Sequence, residues 1–317
     1  MNQNGLKLAY VCAVLNAAII GFSFLFTKVA LEYAPPMDTL AYRFAVSFAA
    51  MSIPVLLGRV RLSYRGKPLF KPLLLATMYP LGFFLFQAFG LRHATSSEGG
   101  ILLAFAPVLT ALLAFVFLKE SMTVLQQLSI GLSVAGVVFI FVMKGNGIDW
   151  SSLGGIFLLF LSCLAFAGYS VLARSLLKSY GPTEISFLML GIGFVFFLAA
   201  AIADHAVSGT AGSLLAPLGS GTFIVSILYL GILSSLVTAL TANYALSKIE
   251  ASKMSVFANL ATVVSIAAGA VFLGENIEVY HLLGSAMIIA GVIGTNRFGR
   301  TSPKVKQSAE NYSKESI

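Results

Sequence analysis

Ten apolar runs follow one another along this chain, at 8–31, 36–57, 72–91, 98–118, 123–143, 153–174, 183–203, 221–246, 252–273 and 279–296. A helix that crosses a bilayer needs about 20 apolar residues, since each adds about 1.5 Å across a hydrocarbon core about 30 Å thick. Strands of an open sheet are excluded, because lipid-exposed edges would leave backbone groups unpaired. Breakers separate most runs: Pro35-Pro36, "GKPLFKP" at 66–72, "KGNGIDW" at 144–150 and Gly181-Pro182. The first run is too long for a signal peptide and leads straight into the second, so it counts as the first spanning helix. The expected fold is an all-α polytopic membrane protein with ten transmembrane helices.

Only 10% of the residues are charged and 58% are hydrophobic, with a mean hydropathy of +0.92. Soluble domains carry about 25% charged residues, so this chain has too little polar surface to cover a globule and its solvent is the lipid bilayer. Cys12 and Cys163 lie inside apolar runs without ligand spacing, which points to inert thiols, no metal and no cofactor. The net charge of +8 could suggest nucleic acid, but its placement argues otherwise. With the N-terminus cytoplasmic, sixteen of the twenty Lys and Arg residues fall on the inner side. Arg92 and Lys144 fall outside, and Lys28 and Arg43 lie within helices. The bias predicts both termini in the cytoplasm of a multi-pass protein in the cell membrane of a bacterium. The basic excess is then a topology signal partnered by anionic lipid, not by nucleic acid. Residues 298–317 read as a basic, disordered cytoplasmic tail.

The chain also repeats itself. Residues 106–138 fall without gaps on 261–293, a shift of 155, with eleven of 33 positions identical, including Glu120 with Glu275 and Gly136 with Gly291. At a shift of 147, Gly21 falls on Gly168, Tyr33 on Tyr180 and Pro35 on Pro182. This predicts two five-helix repeats, 1–148 and 149–297. Five is odd, so the second copy enters the membrane from the opposite side. Inverted repeats about an axis in the membrane plane are a transporter design.

At this point the chain resembles the drug/metabolite transporter superfamily, in its ten-helix EamA-type branch. The resemblance rests on the paired segments Pro107 to Glu120 and Thr262 to Glu275. Each is followed by small residues, Gly131 with Ala135-Gly136 and Gly284 with Ala290-Gly291. It implies export of a small metabolite by alternating access. Pro107 is the expected kink or hinge; Thr262 stands where second halves of the family often have proline, so a weaker kink is expected there. Glu120 and Glu275 each sit in a turn before a helix, the fifth or the tenth. A carboxylate there suits the helix N-terminus and its free amides, which makes both structural acids. A proton-coupling role is the alternative.

Candidate cavity residues are the intramembrane cations and the polar stripes. Lys28 and Arg43 are costly in a bilayer. Lys28 either pairs with Glu32 or Asp38, or attracts cargo. Arg43 either snorkels or meets an acid, or attracts a carboxylate or phosphate. Asn16, Ser23 and Thr27 share one face of the first helix; Ser255, Asn259 and Thr262 one face of the ninth; Ser234, Thr238 and Thr241, with Asn243 nearby, one face of the eighth. Tyr79, Phe83 and Gln87 join them from the third helix, and Ser162 and Tyr169 from the sixth. Interhelical hydrogen bonding explains any one stripe; several together predict a central cavity. The stripes Gly131-x3-Ala135 and Ala286-x3-Ala290 suit close packing within the monomer, with a homodimer contact as the other use.

All twelve acids fall in loops, tails or helix ends, which disfavours organic cations as cargo and favours neutral, zwitterionic or anionic metabolites such as amino acids. His93, His205 and His281 are far apart near helix ends and form no hydrolytic motif, so an intramembrane enzyme is not expected. An exchanger, an importer and a passive channel remain alternatives to an exporter.

Overall fold

The computed structural model describes residues 3–298 except 61, 65, 119–122, 145–149, 211–212, 250–253 and 255–256. Ten helices account for most of these residues: α1 (Gln3–Ala30), α2 (Pro36–Leu56), α3 (Phe70–Leu91), α4 (Ser96–Leu103 and Ala106–Leu118), α5 (Val124–Lys144), α6 (Trp150–Leu176), α7 (Pro182–Ser208), α8 (Gly221–Lys248), α9 (Ala258–Leu273) and α10 (Val279–Phe298). Seven are long and apolar enough to cross a bilayer. The other three, α5, α9 and α10, are shorter apolar helices, over Val124–Ile140, Ala258–Leu273 and Val279–Thr295. Val11, Ile53, Phe157, Val195, Val225 and Val263 are exposed around the bundle, a surface that suits lipid and not water. Below, the near face is the one on which α1 begins, and the far face the one on which it ends.

Helix ends follow local chemistry. Pro36 and Pro182 occupy the first helical position of α2 and α7, where a missing N–H costs nothing. Thr95 and Glu98 form a capping box at the start of α4. Two residues, 104 and 105, interrupt α4 just before Pro107, whose ring cannot accept an unbroken preceding turn. At the matching Thr262, α9 is regular over Ala258–Leu273, and most of the residues that correspond to the first part of α4 lie outside the described ones.

The packing is two-fold. Across the axis α5 packs on α10, α4 on α9 and α2 on α7; α1 packs on α8 and α9 as α6 packs on α3 and α4, and α8 meets α2 as α3 meets α7. Every principal contact is thus preserved when each helix is exchanged with the one five places on. The two halves enter from opposite faces, so the fold is a pair of inverted five-helix repeats. Side-chain bonds refine the register. Asn16 Nδ2 donates to the Thr238 carbonyl at 2.9 Å, and Ser162 Oγ donates to the Phe83 carbonyl at 2.8 Å. These bonds match when the donors are shifted by 146 and the acceptors by 155. Pro36 and Pro182 obey the same 146, one residue less than the sequence match of Pro35 with Pro182, because helix starts and not identities set the register.

The small-residue stripes also differ from expectation. Close approach of α5 and α10 is made by Gly136, Gly284 and Gly291; a Cβ on Gly284 would lie 2.2 Å from Ile140 Cγ1. Gly131, Ala135, Ala286 and Ala290 are exposed on the outside of this pair instead. Asp38 and Glu184, both three positions into their helices, clip α2 and the loop after it to α7 at opposite faces. Asp38 Oδ2 meets His205 Nε2 at 2.9 Å on the far face, and Glu184 meets Lys67 Nζ at 2.6 Å and the Ser63 amide at 3.0 Å on the near face. The inversion predicts that Ser63→Cys and Ser213→Cys, in the corresponding loops after α2 and α7, react with a membrane-impermeant thiol reagent from opposite sides. Labelling of both from one side would contradict it.

Candidate functional site

Both third helices of the repeats lose regular winding at the same place. In α3, regular winding breaks within Thr77–Gly82, where two helical stretches meet in a kink at Pro80 and Tyr79 is extended (φ −141°, ψ 117°). In α8, Tyr229–Val237 are π-helical, and the shift of 155 carries 77–82 onto 232–237. Pro80 lacks the N–H that regular winding needs. A π-turn widens the helix and turns side chains off the 3.6-residue stripe, a feature common at functional sites.

Arg43 of α2 reaches the wide turn of α8. Its Nε donates to Ser235 Oγ at 2.7 Å, and Nη2 donates to Ser234 Oγ at 2.8 Å and the Ser234 carbonyl at 3.2 Å. The guanidinium carbon lies 4.0 Å from the centre of the Phe84 ring. Arg43 is 1% exposed, and among the described residues it has no carboxylate partner and no acceptor for Nη1. It therefore neither snorkels nor meets an acid. Neutral hydroxyls and an aromatic face hold the cation in place without cancelling its charge.

From Arg43 a polar and aromatic chain crosses the axis. Tyr79 stacks on Tyr169 with ring centres 4.7 Å apart and contacts Phe83 at 5.2 Å, and Thr238 Oγ1 donates to the Ser234 carbonyl at 2.6 Å, the same carbonyl that Arg43 meets. The Tyr169 hydroxyl donates to Asn243 Oδ1 at 2.8 Å, and Asn243 Nδ2 donates to Ser186 Oγ at 2.9 Å. Thr241 joins through Asn16, whose Nδ2 lies 3.3 Å from Thr241 Oγ1. Thus Arg43, Tyr79, Phe83, Tyr169, Thr238 and Asn243 come together. Gln87 is buried one turn beyond Phe83. Tyr229, Ser235, Ser186 and Phe84 complete the surroundings and were missed from sequence. Ser235 escapes a helical stripe because the π-turn brings both Ser234 and Ser235 to one guanidinium.

Other candidates serve elsewhere. Asn16 and Ser162 fasten helix pairs, as described above. Ser23 Oγ bonds the Ile20 carbonyl of its own helix at 2.7 Å, while Thr27 Oγ1 is buried without a partner among the described residues. Lys28 does not pair with Glu32 or Asp38. Its Nζ donates to the carbonyls of Leu91 and Ala94, each at 2.8 Å, where the end of α3 leaves acceptors unused. Thr262 Oγ1 donates to the Gly100 carbonyl at 2.7 Å and so ties α9 to α4. Asn259 is half-buried nearby. Ser255 and Glu120 lie outside the described residues.

Glu275 corrects the reading of its neighbours. Gly274 takes φ 63°, which suits glycine, and the turn lets the Glu275 amide donate to the Gly269 carbonyl at 3.1 Å. The carboxylate then lands on the start of α4, not of α10. It accepts the amides of Ser96 at 2.7 Å and Ser97 at 2.9 Å, with the Ser97 hydroxyl besides. Packing of α9 against α4 brings those amides nearer than those of its own next helix.

Comparison with known proteins agrees with this architecture. The EamA-like transporter family model matches the chain twice, over residues 7–142 and 153–297. The uncharacterized transporter YcxC of Bacillus subtilis (strain 168) is 47% identical over 288 residues, 91% of this chain and 92% of that protein. The probable terminal-alkyne amino-acid exporter of Streptantibioticus cattleyicolor is 29% identical over 205 residues, 65% of each chain. A solved crystal structure has the same fold, with a TM-score of 0.64 at 16% identity over 95% of this chain and 100% of that one. With both halves matched across nearly their whole length, this multi-pass membrane protein belongs to the EamA-like transporter family, a family of transporters and not of enzymes.

Proposed function

We propose that the protein is a secondary carrier that exports small neutral, zwitterionic or anionic metabolites, amino acids foremost, by alternating access between its repeats, 1–148 and 149–297. One observation carries the reading: Arg43, buried near the axis, keeps a charge that no described carboxylate cancels. A cargo carboxylate would supply the missing partner and accept from Nη1, while the tyrosines and Asn243 offer a wall for the rest of the molecule. Such charge-assisted pairing is strong where water is excluded. The name of the Streptantibioticus relative supports amino-acid cargo and export. The positive-charge bias supports a membrane orientation with the near face and both termini in the cytoplasm.

Reconstitution tests the class. Liposomes preloaded with a transported amino acid are expected to take up the labelled compound several-fold faster than empty ones. A carrier returns loaded faster than empty, whereas a channel lacks this stimulation. Equal rates would sink the carrier reading and favour the channel.

A further inference from the structure

Two cationic side chains occupy related positions in the two repeats and make the same kind of bond at opposite faces. Lys28, two residues from the end of α1, donates to the Leu91 and Ala94 carbonyls where α3 ends at the far face. Arg174, two residues from the end of α6, donates through Nη1 to the Leu246 carbonyl where α8 ends at the near face. The shifts are 146 for the cations and 155 for Leu91 and Leu246. These are the shifts that relate Asn16 with Thr238 to Ser162 with Phe83. Two independent pairs of bonds thus share one register, although Lys and Arg are different residues and no sequence identity marks them.

Their place in the bundle is informative. The helices group as α3, α4 and α6 on one side of the axis and α1, α8 and α9 on the other. Asn16 with Thr238 and Ser162 with Phe83 are bonds inside these groups. Lys28 with Leu91 and Arg174 with Leu246 are bonds between them, one at each mouth. A helix C-terminus offers carbonyls with no partner in the helix and a partial negative charge, so a cation there is held by charge as well as by hydrogen bonds. Both bonds are made in this structure.

We propose that Lys28 and Arg174 are the paired gate latches of the transport cycle. Lys28 closes the far mouth, Arg174 closes the near one, and the carrier alternates by releasing one while holding the other. Both are positioning residues, and cargo need not touch either. The inference rests on the alternating-access reading but on no particular cargo.

The test uses the full chain in liposomes, with Cys12 and Cys163 replaced by serine and a reporter thiol at the axis, Thr238→Cys. A charged, impermeant thiosulfonate is applied from either face. Lys28→Met removes both charge-assisted bonds and is expected to raise the labelling rate from the far face by at least about ten-fold, the effect of losing one such bond. Arg174→Met is expected to raise it similarly from the near face. Lys28→Arg and Arg174→Lys, which keep the donors, should stay close to the parent. Should a Met variant not reach the membrane, Lys28→Gln and Arg174→Gln carry the same opposite signs at smaller size. Shifts towards the same face, or no shift in either variant, would overturn the latches and leave plain helix capping. Labelling needs no cargo, so opposite shifts without counterflow would sink the carrier reading and overturn the alternation of the latches, leaving the two cations as closures of a channel's mouths.

Discussion

Arg43→Ala is expected to cut transport of a carboxylated amino acid by about 100-fold, equivalent to about 2.7 kcal/mol. Truncating one partner of a buried charged pair costs about 2–5 kcal/mol, so the figure is modest. The decisive comparison is with an analogue in which the carboxylate is replaced by a primary amide. That analogue never cancels the Arg43 charge, so the substitution should cost it less than ten-fold. The expected loss comes from geometry. Ser234 and Ser235 already use Nε and Nη2, which leaves Nη1 for the cargo. Arg43→Lys should fall between, since an ammonium cannot hold both serines and present a second edge in the same plane. Equal losses for acid and amide, measured as initial rates in liposomes, would reduce Arg43 to a fastener between α2 and α8.

Glu275→Ala is expected to have the largest effect on stability. It removes the acceptor for two backbone amides and a hydroxyl at the start of α4, all of them partly or wholly withdrawn from water. Hydrogen bonds to a charged group contribute about 1.5–3 kcal/mol, and stranded donors add their own desolvation cost. A net loss of about 3 kcal/mol should lower the melting temperature in detergent by roughly 5–10 °C. Glu275→Gln keeps one amide acceptor and should lose about half as much. An unchanged melting temperature for Glu275→Ala, with transport abolished, would instead support the proton-coupling role set aside at the sequence level.

The repeat around Glu120 and Glu275 was plain in the sequence, but the partner of Glu275 was not. A glutamate before a helix suggests that helix's own amides, and only the packing of α9 on α4 brings Ser96 and Ser97 closer. Lys28 shows the same limit. Its cost in the membrane was visible, its carbonyl partners 63 and 66 residues away were not. Arg43 was legible as an anomaly because charge in an apolar run is rare, whereas Ser235 was hidden by a π-turn that breaks the period used to find stripes. Asp38 and His205 looked like scattered helix-end residues until α2 and α7 met.

The sequence by itself determined the helix count, the inverted duplication and the family, because these depend on local properties: hydropathy along a segment, breakers between segments and the recurrence of residues at a fixed shift. Tertiary structure alone decided which polar groups meet. A hydrogen bond is made within about 3 Å, and the helix rotations and crossings that bring two groups so close are set by side-chain packing over the whole bundle. The Arg43 site and the two cationic bonds at the mouths therefore appear only once all ten helices are in place.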